Sequence, residues 1–226
     1  MENAVRVLST LALKGAVCNL AGGYQAAGGA RIDADFAPTL GLLDRLRRGE
    51  KADVVILTKE ALDDLAGQGS VVACVDLARS FVGIAVKAGV NHPDITTEAA
   101  LRATLLGARS IAYSRIGASG IFFARLIERM GIASAINARA RIIPSGFTAE
   151  LLLTGEADLA VQQLSELKQV AGTEVVGPIP RELQTPAVFS AGRLSVSNKV
   201  AQGDALLKYL ASPEVVGVLR ESGLEA

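Results

Sequence analysis

Short polar side chains stand where apparent β-strands give way to helices. Ser9-Thr10 follows VRVLS, Ala37-Pro38-Thr39 follows DADF, Gly117–Gly120 with Ser119 follows IAYSR, and Gln162-Gln163 follows DLAV. A charged group would bind an oxyanion through an ion pair. Hydroxyls, carboxamides and the unpaired N–H groups of a helix start can instead surround it with neutral donors, aided by the positive end of the helix dipole. The fullest instance is YSRIGASGIFFARLIERM at 113–130. Its Gly-Ala-Ser-Gly turn lets the backbone approach a ligand closely, and Ser119 is expected at the N-cap. In the helix that follows, Phe122, Leu126 and Met130 share a stripe that Phe123 and Ile127 broaden, while Arg125, Glu128 and Arg129 face away. The expected ligand donors are Ser9, Thr10, Thr39, Ala118, Ser119 and Gln162, with Gln163 as a further amide.

Two cations could serve a carboxylate. Arg115 precedes the turn by two residues, where a planar guanidinium could grip a carboxylate in bidentate fashion. Lys14 lies one turn into the first helix and could pair with a ligand, or act as a base if desolvated. Tyr113 and Glu166 complete the set of acid–base candidates, and none has a diagnostic spacing. His92, the sole histidine, sits in the turn-like AGVNHPDI and is read as non-catalytic. Arg45, Arg47 and Arg48 end a helix, where cations suit the dipole.

These residues must be positioned by alternating strands and helices. Strands are expected at 4–9, 31–36, 52–57, 81–89, 108–113, 140–144, 157–162 and 185–194. Helices are expected at 12–27, 38–49, 59–69, 96–107, 147–154 and 164–169, with one following Ser119 to Met130 and two more around ALLKYL and PEVVGVLRESG. Such βα alternation implies parallel sheets flanked by helices, with ligands at the carboxyl ends of the strands.

Composition narrows the function classes. Lys+Arg and Asp+Glu both number 23, so no net field favours nucleic acid or an anionic membrane. Aromatic residues are 4% with no Trp, which leaves few stacking platforms. Apolar runs fall short of a membrane span, and no membrane insertion is expected. Cys18 and Cys74 have no CxxC spacing, so neither a metal nor a cofactor is expected and both thiols are read as buried and free. In MENAVRVLSTLALKGAVC, Glu2 spoils a basic leader, no small-x-small cleavage site follows, and Cys18 lacks a lipidation context. The chain as written reads as cytoplasmic, or as periplasmic if a leader has been removed.

VRVLSTLALKGAV, DFAPTLGLLDRLRRGEKADVVILTKEALDDLAGQG, GASGIFFARLIERMGI, GEADLAVQQLSELK and YLASPEVVGVLRESGL together resemble the bacterial extracellular solute-binding proteins related to the periplasmic molybdate-binding protein. That resemblance implies a two-lobed α/β fold of the type II periplasmic-binding class, each lobe a mainly parallel sheet flanked by helices. It implies lobes of 1–80 with 190–226 and of 81–189, crossover strands near 81–87 and 185–191, and a small anion held in the cleft. ABC-transporter membrane subunits would be the partners of an exported member. Carried onto this chain, the family's first-loop serine falls at Ala12 and its second-loop serine becomes Thr39. The third-loop donors fall at Ala118 and Ser119, and a Val-Tyr pair becomes Gln162-Gln163. These departures suggest an organic anion in place of molybdate. VQQLSEL and VVGPIPRELQ are similar to a branch that includes aconitate isomerase, which implies a cofactor-independent di- or tricarboxylate isomerase as the alternative to a binding protein.

Overall fold

The computed structural model describes residues 4–226, which form two compact units. The first runs to Ser80 and resumes as Ala187–Ala226; the second is Phe81–Pro186. Ala187, rather than residue 190, opens the return segment.

In the first unit, β1 (Ala4–Ser9) leads through a 3-10 turn, Leu11–Leu13, into α1 (Lys14–Ala26). There follow β2 (Arg31–Phe36), α2 (Thr39–Arg47), β3 (Val54–Thr58), α3 (Lys59–Gly67) and β4 (Val71–Ser80). The second unit contains β5 (Val82–Lys87), α4 (Glu98–Gly107), β6 (Ile111–Ser114), α5 (Ala118–Arg129), α6 (Ala133–Asn137) and β7 (Ala140–Ile143). It continues with α7 (Glu150–Leu153), β8 (Leu159–Gln163), α8 (Leu164–Leu167) and β9 (Thr173–Pro178). Back in the first unit come β10 (Ala187–Leu194), α9 (Val200–Leu210) and α10 (Val216–Glu221).

The two sheets share one plan. The first has the order β2-β1-β3-β10-β4 and the second β7-β6-β8-β5-β9. In each, three strands linked by helices are parallel, and the fourth position is taken by the strand arriving from the other unit. That arriving strand, β10 or β5, runs antiparallel to both neighbours. Each sheet is thus mainly parallel, as expected, with one reversed strand. A helical crossover returns the chain to start a strand in the original direction, whereas β5 and β10 enter without one. Nor does either of them serve both sheets. β5 pairs with β8 and β9, and β10 with β3 and β4.

Strand parity distributes the core. Val5 and Val7 of β1, with Val54 and Ile56 of β3, meet Leu13, Val17 and Leu20 on one face of the first sheet. Leu8, Val55 and Leu57 turn to the other face against Leu42 of α2 and Leu62 of α3. In the second unit, Ile111, Tyr113, Ile84 and Val161 pack with Phe123, Leu126 and Ile127 of α5. Phe122, expected on the same stripe, is only partly buried.

An ion network holds α2 to the strands. Arg45 grips Glu50 through Nε and Nη2 at 2.6 Å each, and its Nη2 also meets Asp35. Arg6 reaches Asp33, Asp35 and Glu50 at 3.4–3.5 Å. Hydrogen bonding to Arg45 is the chief reason that Asp35 and Glu50 both titrate below their ordinary values. Groups with depressed folded pKa values stabilise the fold above their unfolded values, near pH ~4, and lose that contribution as pH falls through the folded ones. Arg45→Met is therefore expected to melt below wild type at neutral pH. The two melting curves should converge below about pH 4, as a pH series of thermal melts would show.

Candidate functional site

At the carboxyl end of β1, Ser9 and Thr10 are both buried, at 0% and 3% exposure. Ser9 Oγ donates to the Thr10 carbonyl at 3.1 Å, and the Thr10 N–H donates to the Ile56 carbonyl at 2.9 Å. Thr10 Oγ1 is buried and, among the described residues, has no hydrogen-bond partner, as is also true of the hydroxyls of Ser110, Ser165, Ser212 and Ser222 and of Arg139 Nε. Leaving a buried hydroxyl unpaired costs roughly 1–3 kcal/mol, so an orphan of this kind calls for an explanation. Ala12 is buried inside the 3-10 turn, and Lys14 opens α1 with its side chain half-buried.

Beside β1, α2 starts at Thr39 with Pro38 at the N-cap, so the expected helix from Pro38 begins one residue later. No side chain caps the first N–H groups of this helix. Thr39, 8% exposed, stands at the first helical position. Parallel pairing of Ser9 with Phe36 sets the two strand ends side by side, and the Ala37 N–H donates to the Ser9 carbonyl at 3.1 Å.

The second unit repeats this arrangement at β6. Ser114 Oγ accepts from the Ile116 N–H at 3.3 Å, and α5 begins at Ala118 with Gly117 as its N-cap. Ser119 is therefore not the cap that was expected. It lies within the first turn, 3% exposed, and Gly117 in an extended conformation leaves the first N–H groups without a side-chain acceptor. Gly120 explains the turn's composition, since a Cβ there would lie 1.5 Å from the Ser114 carbonyl oxygen. Helix α5 can sit down on the end of β6 only with glycine at this position.

Arg115 is exposed, and one long contact, 3.4 Å from Nη2 to Asn137 Oδ1, is its hydrogen bond. The same Oδ1 accepts the Tyr113 hydroxyl. Tyr113 itself is fully buried, edge-on to Phe123 at 5.1 Å between ring centroids. Its place as an acid–base candidate is corrected on that ground, because its ring belongs to the core and its hydroxyl is committed to Asn137.

The glutamines face inward to protein partners. Gln162 Oε1 accepts from the Thr148 N–H at 2.8 Å and the Thr148 hydroxyl at 3.1 Å, while Nε2 donates to the Gly146 carbonyl at 3.0 Å. Gln163 caps α8 in a reciprocal box, its side chain accepting from the backbone of Glu166 while Glu166 accepts from the Gln163 N–H at 3.1 Å. Burial pushes the Glu166 carboxyl up to about 8, only partly opposed by that backbone hydrogen bond.

Elsewhere His92 pairs with Glu174 at 3.0 Å on the surface. Cys18 and Cys74 are free but exposed, which corrects the expectation of buried thiols. Cys18 lies on the outer side of α1, and Cys74 lies in β4, an edge strand. Among the described residues no group of three or more His, Cys, Asp and Glu could hold a metal, and no helix is long and apolar enough to cross a membrane.

Two stability predictions follow from this geometry. Gly120→Ala should cost about 3 kcal/mol, the upper part of the overpacking range, and lower Tm by roughly 6–12 °C. Gly117→Ala, whose added Cβ meets nothing within 4 Å, serves as the control. For Glu166, the folded state holds its proton more tightly than the unfolded chain, where glutamate titrates near ~4.3. The stability contributed by the neutral acid is then full near pH ~4 and declines as pH rises toward about 8. Glu166→Gln keeps a neutral acceptor for the Gln163 N–H, so its melts should lack this decline and exceed wild type at alkaline pH.

Comparison with known proteins bears on the same elements. Residues 5–225 match the family model described as bacterial extracellular solute-binding protein. An aconitate isomerase from a Pseudomonas species is 38% identical over 227 residues, covering 97% of this chain and 86% of that protein. The periplasmic molybdate-binding protein of Azotobacter vinelandii superposes with a TM-score of 0.83 at 18% identity, covering 98% of this chain and 99% of that one. The sulfate-binding protein SubI of Mycobacterium tuberculosis H37Rv gives 0.72 at 13% identity, with 99% and 86% covered. At such identities the two structures speak for the shared fold. With a match across nearly its whole length, the chain belongs to the bacterial extracellular solute-binding protein family.

Proposed function

We propose that the chain binds a small organic polycarboxylate through neutral donors at the carboxyl ends of its strands. The observation that carries this reading is Thr10 Oγ1, a buried hydroxyl without a partner among the described residues, at the end of β1 beside an α2 start that no side chain caps. Thr10 and Thr39 are the hydroxyl donors of the first unit, since the Ser9 hydroxyl is already spent on the Thr10 carbonyl. The N–H groups of Ala118 and Ser119, with the Ser119 hydroxyl, are those of the second. Arg115 is a group suited to a carboxylate, since its hydrogen bond to Asn137 among the described residues is long and exposed. Direct ligation by Gln162 is not part of this reading, because its carboxamide is already engaged with the 146–148 backbone.

Likeness to an aconitate isomerase supports a tricarboxylate over an inorganic oxyanion. Family membership supports a periplasmic location over the cytoplasmic one expected from the sequence. Delivery of the bound solute to ABC-transporter membrane subunits is the role proposed there.

The 38% identity also favours a second reading, in which binding is followed by isomerisation. A base would take a proton from the methylene carbon beside the double bond. The electron pair shifts, the double bond moves by one position, and a proton returns at the far alkene carbon. No electrons are gained or lost and no cofactor is required.

A thermal-shift panel of molybdate, tungstate, sulfate, phosphate, citrate, and cis- and trans-aconitate tests the binding proposal. The tricarboxylates should raise Tm and the inorganic anions should not. Thr10→Val and Arg115→Ala should each weaken tricarboxylate binding roughly 10–150-fold, as expected for losing about 1.5–3 kcal/mol in a hydrogen bond to a charged group. Stabilisation by molybdate or tungstate alone would sink the organic-anion reading. Incubation with cis-aconitate, followed by proton NMR for the trans isomer, separates enzyme from receptor.

A further inference from the structure

A glutamine buried at 3% exposure inside the strand LAVQQ is costly unless its carboxamide is fully paired, and Gln162 spends that pairing on one short segment. Both Thr148 donors and the Gly146 carbonyl converge on it. Gly146 holds φ +87°, a left-handed conformation that makes the turn depend on glycine, and Thr148 is completely buried. Thr148 Oγ1 also lies 3.4 Å from the Val161 carbonyl, a weaker tie to the same strand.

Sheet order gives this attachment its meaning. Residues 144–148 leave the carboxyl end of β7 and are caught by β8, yet β6 lies between those two strands. Ser114, the last residue of β6, pairs with Ile143, the last of β7. The loop must therefore pass the carboxyl edge of β6, where Ser114 hands over to the α5 start and its unpaired N–H groups.

We propose that Gln162 is a positioning residue, which fixes the 144–148 loop beside the α5 anion donors and so sets which anions that site accepts. It acts through the loop rather than by touching the ligand. This inference rests on the anion-binding reading above, and its test separates the two.

The experiment compares wild type, Gln162→Ala and Gln162→Glu. Amide hydrogen exchange of 145–148 is measured without ligand, and affinities for trans-aconitate and molybdate are measured by calorimetry from about pH 5 to about pH 7.5. Ionised glutamate can accept from Thr148 but cannot donate to the Gly146 carbonyl; protonated glutamate can do both. Gln162→Ala should speed exchange at 145–148 at least tenfold and narrow the preference between the two anions. Gln162→Glu should match wild type at the acid end and approach Gln162→Ala as pH rises. Glu166 is common to all three proteins, so its titration cancels in the comparison. Weaker binding by Gln162→Ala with unchanged loop exchange would make Gln162 a direct ligand and overturn the proposal. Faster exchange with affinity and preference unchanged would also overturn it, by removing the loop from the site. If wild type binds neither anion, the anion reading and its selectivity corollary both fall, while the exchange data still decide whether Gln162 holds the loop.

Discussion

A parallel strand that passes directly into a helix leaves backbone N–H groups unpaired at its carboxyl end, and the protein must either cap them or use them. The fold builds this junction repeatedly: β1 into the 3-10 turn and α1, β2 into α2, and β6 into α5. At α2 and α5 the residue before the helix is Pro38 or Gly117, neither of which offers a side-chain acceptor. By contrast, α4 has Thr97 accepting from the Ala100 N–H, and α8 has its reciprocal glutamine–glutamate box. Side-chain capping is thus confined to α4 and α8 among the described α-helices, and the starts adjoining Ser9, Thr10 and Ser114 share its absence with α3, α6, α7, α9 and α10.

The supporting structure holds these starts still. Gly120 lets α5 rest on the Ser114 carbonyl, and the Arg6–Arg45–Glu50 network fastens the far end of α2 to β1 and β2. Gln184 performs a related task in the second unit. Its carboxamide accepts from the Val82 N–H at 2.8 Å and donates to the Val82 carbonyl at 3.1 Å. The last segment before the chain returns to the first unit is thereby tied to the first strand residue after it left. Rigid donors lose little freedom on meeting an anion, and this preorganisation favours affinity.

Much of this was legible from residues alone. β1, β2, β3 and β6 and their helices stand close to where periodicity puts them, because each strand is a short apolar or alternating run ended by turn residues. Two strands escaped that reading. β4, VVACVDLARS, is an edge strand whose pairing with β10 slips in two places and whose Ala73 has φ 54°, so its burial does not alternate cleanly. β9, TEVVGP, is short and half-buried, and closes on Gly-Pro. The reversed direction of β5 and β10 was not legible, since strand direction belongs to topology rather than to local pattern. Ser119 was misplaced as a cap because serine is a good one; only the extended backbone at Gly117 moves the cap two residues earlier. Gln162 was recognised as important, but its role as a clasp for Gly146 and Thr148 depends on long-range partners that spacing does not reveal.

Hydroxyls and helix starts at the carboxyl ends of the strands are proposed to hold an organic anion. A backbone amide NMR titration with trans-aconitate tests this most directly, because each N–H reports for itself. Saturable shifts are expected to concentrate at 9–13, 39–41 and 115–120, with other residues little changed. Saturable shifts confined to other surfaces would contradict this reading.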